Sequence, residues 1–167
     1  MKLLDRTGAI ADLYTRTDAA GARETAQPLV PLAELDAALD ATNGAIGVEV
    51  PNTATIAALE PHFARLSLIA IAFPAFADGR GFSIARRLRN AGYTGRLRAV
   101  GPLIADQFAY ALACGFDEID LPEASAERQP VEIWQRAATA MSAGYQRGTL
   151  SGASILDQRR AARQHQS

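Results

Sequence analysis

Residues 68–83 run Leu68-Ile69-Ala70-Ile71-Ala72-Phe73-Pro74-Ala75-Phe76-Ala77-Asp78-Gly79-Arg80-Gly81-Phe82-Ser83. Six apolar residues come first, then a proline, then a glycine-flanked arginine ahead of a new amphipathic segment. An unbroken apolar run bounded by turn residues is the pattern of a central strand covered on both faces. Ile84, Ala85 and Leu88 then alternate with Arg86, Arg87 and Arg89, which predicts a helix over 83–91. Ser83 is its expected N-cap and Gly92 its expected C′ residue. Strand, loop and helix together make one βα unit, and the rest of the chain repeats it.

Upstream, Ala45 to Val50 predicts a strand closed by Pro51, followed by a helix over 54–66 that Pro61 splits or kinks. Downstream come a strand over 96–101, a helix over 106–114 capped by Asp106 and stopped by Gly115, and a strand over 116–121. A closing helix is expected over 131–145, with Ile133, Trp134, Ala137, Met141 and Tyr145 near one side. Four alternations with short links predict an α/β fold with a four-fold βα repeat and a parallel sheet. The pattern fits a half βα-barrel and an open doubly wound sheet equally well. Either way, ligands are expected at the carboxyl ends of the strands.

Residues 1–30 are polar and turn-rich, which predicts an N-terminal arm or hairpin outside the core. Pro28 and Pro31 bracket a short apolar segment, and Leu32, Leu35 and Leu39 then recur at the spacing of a short helix. The expected division is 1–30 as arm, 31–146 as a single α/β domain, and 147–167 as a flexible tail rich in Gly, Ser, Gln and Arg.

The 167 residues are 49% hydrophobic and 21% charged, which excludes a mainly disordered or collagen-like chain. Seventeen basic against eighteen acidic residues leave a formal charge of −1, so no global basic field attracts nucleic acid. Within that neutral total, Arg80, Arg86, Arg87, Arg89, Arg96 and Arg98 crowd into one stretch. Cys114 is the only cysteine, which rules out an intrachain disulfide and cysteine-ligated clusters. Expected just before Gly115 at a helix C-terminus, it reads as a buried, inert thiol. His62 and His165 are the only histidines, too few for a His-based metal site or triad. Asp5 interrupts any signal-peptide core, and Pro74 breaks the longest apolar run well short of the roughly 20 residues of a membrane span. A cytoplasmic location and no membrane partner are expected.

The loop before the second helix carries the chemical expectation. Glycines permit positive φ and close approach of amides, a helix start offers free N–H groups, and Arg80 supplies a planar fork for an oxyanion. Gly79, Arg80, Gly81 and Ser83 are therefore the candidate anion-binding residues. Asp78 positions Arg80, and Gln107 and Arg98 are candidate supporting groups. The alternative is a structural turn in which Arg80 only pairs with Asp78. A dinucleotide fingerprint fails because Ile84 stands where a third glycine belongs, and no phosphate loop is present. No metal or cofactor is expected. Arg96 and Arg98 point one way from their strand, as do Glu118 and Asp120 from theirs. Neighbouring strands would therefore carry a ladder of arginine–carboxylate pairs that Glu49 could join; an active-site lining is the alternative.

The run from Phe73 through Arg89, with Gly92-Tyr93-Thr94-Gly95-Arg96-Leu97-Arg98-Ala99-Val100-Gly101, Asp106-Gln107 and Cys114-Gly115-Phe116-Asp117, resembles the bacterial domain-of-unknown-function 934 family. Leu29 to Leu39 and Tyr145-Gln146 are similar too. The chain departs from that pattern at Ala72, where an acid is common, and at Ala75 and Ala77, where Lys and Thr are frequent. Members of the family are encoded beside sulfite reductase genes and are often labelled oxidoreductases of sulfite reduction. The resemblance therefore implies an auxiliary role in sulfur assimilation, with sulfite reductase as partner, a small oxyanion as ligand and homo-oligomerisation open. A non-catalytic interaction module, or a lyase or isomerase acting on an anionic metabolite, are the alternatives.

Overall fold

The structure is a computed structural model, and it describes residues 2–138. Its sheet has eight strands in the order β2-β1-β8-β7-β6-β5-β4-β3. They are β1 (Lys2–Asp5), β2 (Gly8–Ile10), β3 (Thr15–Arg16), β4 (Pro28–Pro31), β5 (Ile46–Val50), β6 (Leu66–Ala72), β7 (Arg96–Val100) and β8 (Glu118–Leu121). From β3 to β8 every neighbour is parallel and follows in chain order, while β1 pairs antiparallel with both β8 and β2.

That order resolves the choice the repeat left open. A doubly wound sheet reverses strand order at a switch point and places helices on both faces. Here the order never reverses, and the helices share one apolar core on one face. The result is a curled mixed sheet forming a half-barrel. The core side takes Val30, Ile46, Val48, Val50, Ile69, Ile71, Leu97, Ala99, Ile119 and Leu121, at alternate positions along their strands. Their intervening neighbours Leu29, Leu68, Ala70 and Val100 form a small separate cluster on the concave face, against Tyr14.

The α-helices are α1 (Leu35–Ala41), α2 (Arg80–Asn90), α3 (Ala105–Cys114) and α4 (Glu123–Arg128), and 131–138 is helical too. Trp134 is buried against Phe108, with ring centroids 5.6 Å apart. The rest of the expected closing helix, including Met141 and Tyr145, and the 147–167 tail lie outside the described residues.

Four expectations need correction. The helix over 54–66 is two 3-10 turns, Ile56–Ala58 and Glu60–His62. Pro61 has no N–H for an i−4 carbonyl and its ring crowds that carbonyl, which disfavours a continuous α-helix here. The repeat is thus incomplete, since an α-helix follows β6, β7 and β8 but not β5. Helix α2 starts at Arg80, leaving Ser83 inside it, and α3 is preceded by Ile104, leaving Asp106 in its first turn. Finally, the N-terminal segment contributes to the core. The β1–β2 hairpin extends the sheet, with Leu4 fully buried among the core residues. Cys114 is buried at the end of α3 as expected, and Gly115 closes that helix at φ 106°, a conformation that costs glycine little.

Candidate functional site

Two polar constellations occupy the carboxyl-end side and the concave face of the half-barrel. The first is built on the loop between β6 and α2. Asp78 Oδ1 accepts from the Arg80 backbone N–H at 3.2 Å and from Arg80 Nε at 3.0 Å, and Oδ2 accepts from Arg80 Nη2 at 2.6 Å. Asn52, just after β5, donates Nδ2 to the same Oδ2 at 2.7 Å. The carboxylate answers one open N–H of the helix start and ties β5 to the loop. Arg80's hydrogen bonds hold Asp78 well below the usual carboxylate range, so it stays ionised.

Gln107 pins the other end of the loop. Its Nε2 donates to the Phe76 carbonyl at 2.7 Å, and its Oε1 accepts the Ile104 N–H at 3.1 Å. Gln107 thus joins the loop to α3, with both polar ends occupied. The glycines act differently from the expectation. Neither Gly79 nor Gly81 takes a positive φ. Gly81 is needed for packing, because a Cβ there would sit 2.4 Å from the Phe73 ring. Ser83 is exposed on the second turn of α2. Arg80 keeps 61% of its side chain exposed, and its Nη1 has no partner among the described residues.

An exposed apolar surface adjoins this loop. Phe76 is 56% and Tyr110 52% exposed, with Ile104 also at the surface. Tyr110 lies one helical turn beyond Gln107, the residue that holds Phe76, and its ring packs edge-on against Phe82 at 5.1 Å. Arg86 is close enough to act electrostatically on the Tyr110 phenol. Arg86 and Arg87 are exposed, as an amphipathic helix predicts. Arg89 differs. It is half-buried and donates to the Gly115, Tyr93 and Gly95 carbonyls and to Asp117, stapling α2 to the loops before β7 and β8.

The second constellation is the expected charge ladder, enlarged. Arg98 is 1% exposed and donates Nε to Glu118 Oε1 at 2.8 Å; Arg96 reaches the other Glu118 oxygen at 3.0 Å. Arg98 belongs to this buried ladder, and its polar groups are all taken up there. Its two terminal nitrogens grip both oxygens of Asp12 at 2.8 and 2.7 Å, a bidentate fork. Tyr14 lies under the same guanidinium at 5.6 Å and against Gly47. Arg16 then bridges Glu49 and Asp120. In this set of ion pairs four acids meet three arginines, one carboxylate more than the guanidiniums can balance.

Asp12, Tyr14 and Arg16 escaped the sequence analysis. Their one signal is spacing: alternate residues of an extended segment share a face, and these three polar or amphipathic residues stand at such positions. A cavity of about 330 Å³ opens at the carboxyl end of the concave face, lined by Arg16, Thr17, Leu29, Pro31, Glu49, Val50, Pro51 and Ala72. Among the described residues no cluster of His, Cys, Asp and Glu is arranged to hold a metal, and no helix is long and apolar enough to cross a membrane.

A family model for bacterial proteins of unknown function, DUF934, matches residues 47–155. No curated protein and no solved structure matches the chain.

Proposed function

We propose, on the premise that this chain belongs to the DUF934 family of bacterial proteins, that it is a cytoplasmic auxiliary protein of assimilatory sulfite reduction that docks on sulfite reductase. The observation that carries the docking is the exposure of Phe76 and Tyr110 beside Arg80 and Arg86. Exposed aromatics and arginines are residue types enriched in interface hot spots. The fitting occupant is an acidic protein surface with apolar recesses: the rings fill the recesses while the arginines steer the encounter. The sulfite-reduction setting comes from the family resemblance alone.

The test is co-sedimentation of the full chain with purified assimilatory sulfite reductase across a salt series. A complex that weakens with salt and is lost in Phe76→Ser and Tyr110→Ser supports docking. Absence of any complex at low ionic strength sinks it.

A second reading, oxyanion binding at the loop, draws support from the exposed Arg80, whose Nη1 has no partner among the described residues. Asp78 already balances that charge, so any oxyanion would be held by hydrogen bonds more than by net attraction.

A further inference from the structure

The concave-face cavity is separate from the docking surface and calls for its own ligand. It lies where half-barrels bind, since Pro31, Val50 and Ala72 are the last residues of β4, β5 and β6. Its volume of about 330 Å³ is at the small end of the range for ligand pockets. Leu29, Pro31, Val50, Pro51 and Ala72 give it an apolar wall, and Arg16 and Glu49 enter from one side.

Charge decides what this cavity would accept. Arg16 Nε donates to Glu49 Oε2 at 2.9 Å, and Nη2 donates to Asp120 Oδ2 at 2.8 Å. One guanidinium therefore serves two carboxylates, and the triad carries a net charge of −1. Asp120 is only 3% exposed, so little water screens its charge. Arg16 Nη1 has no partner among the described residues, but the Arg16 charge is already outweighed by Glu49 and Asp120, so an anionic ligand there meets a net negative field. Glu49 Oε1 has no partner among the described residues, and the Glu49 side chain remains 34% exposed. A charge-assisted hydrogen bond from a ligand donor can form there.

We infer that the cavity binds a small organic monocation: an ammonium on Glu49 Oε1 carrying an apolar body against Leu29, Val50, Pro51 and Ala72. The ammonium neutralises the excess charge of the Arg16 triad, and the body displaces water from the apolar wall.

The experiment is isothermal titration of the full chain at pH 7 with phenethylammonium, against 2-phenylethanol and 3-phenylpropionate as neutral and anionic counterparts. Phenethylammonium should bind at least about tenfold more tightly than either. Glu49→Gln should erase that preference. Ala72→Leu, which fills the cavity while leaving the ion pairs in place, should abolish binding, with folding confirmed by circular dichroism. Phe76→Ser should leave the titration unchanged, which separates this site from the docking face. Equal affinity for all three compounds, or wild-type affinity in Ala72→Leu, would overturn the inference.

Discussion

Arg16 Nη2 stands 2.8 Å from Asp120 Oδ2, although 104 positions separate the two residues along the chain. The same guanidinium holds Glu49 of β5. Strands β5 and β8 are three steps apart, roughly 14 Å across a flat sheet. One side chain can serve both because the sheet curls toward it. The segment carrying Asp12, Tyr14 and Arg16 lies in that curl and ties its strands together.

Arg98 is the residue whose loss should damage this arrangement most. Glu118 is 1% exposed and shares its two oxygens between Arg98 and Arg96. Arg98→Met leaves Glu118 and Asp12 short of their main partner, and a broken buried pair costs about 3–5 kcal/mol. Urea unfolding followed by circular dichroism should show that loss. Adding Glu118→Gln should recover part of it, because the buried charge is then gone.

The two loop glycines should separate by role. Gly81→Ala forces a methyl into the Phe73 ring and should cost about 1–3 kcal/mol. Gly79→Ala meets only Phe82, at 3.7 Å, from a φ of −81° that alanine adopts readily. It should change stability by no more than about 0.5 kcal/mol. Thermal melts of the two variants check both figures, and a matched loss would point to the turn instead of the packing.

Acid should loosen the concave face. Burial of Asp12 opposes its ionisation, but the Arg98 hydrogen bonds, the Tyr14 N–H and the charges of Arg98 and Arg16 outweigh it, so its carboxyl sits below the ordinary range. Its contribution is therefore full above the unfolded value of about 4 and falls away as pH drops through the lower folded value. Stability measured between pH 6 and 2 should decline on the acid side. Asp12→Asn should be less stable at pH 6 and show a shallower acid loss.

Oxyanion binding at the loop predicts a specific contrast. Asp78→Asn releases Arg80 from its charge partner and should strengthen sulfite or sulfate binding, whereas Arg80→Ala should remove it. Titration of each anion into the full-length variants reads the effect. Identical isotherms for the two variants would retire the loop as an anion site.

Much of the fold was legible because its signals are local. The apolar run ending at Phe73, the turn residues after it and the helical spacing of Ile84, Ala85 and Leu88 define one βα unit within a few residues. Gly115 marks a helix end by conformation alone. Pro61 announced an interruption, though not that 3-10 turns would replace the helix. The pairing of Arg98 with Glu118 followed from side-chain alternation on neighbouring strands. The start of α2 was misplaced because Asp78 and Gly79 supply what Ser83 was expected to give.

The sequence by itself determined the βα rhythm, the buried cysteine, the arginine-rich stretch and the alternation that builds the ladder, since each depends on spacing along one segment. Only the tertiary structure decided that the sheet winds one way and curls, that the N-terminal hairpin joins it, and that Arg16 meets Glu49 and Asp120. Those outcomes depend on contacts between residues distant in the chain. Their strength comes from burial and charge balance, and neither exists until the half-barrel has formed.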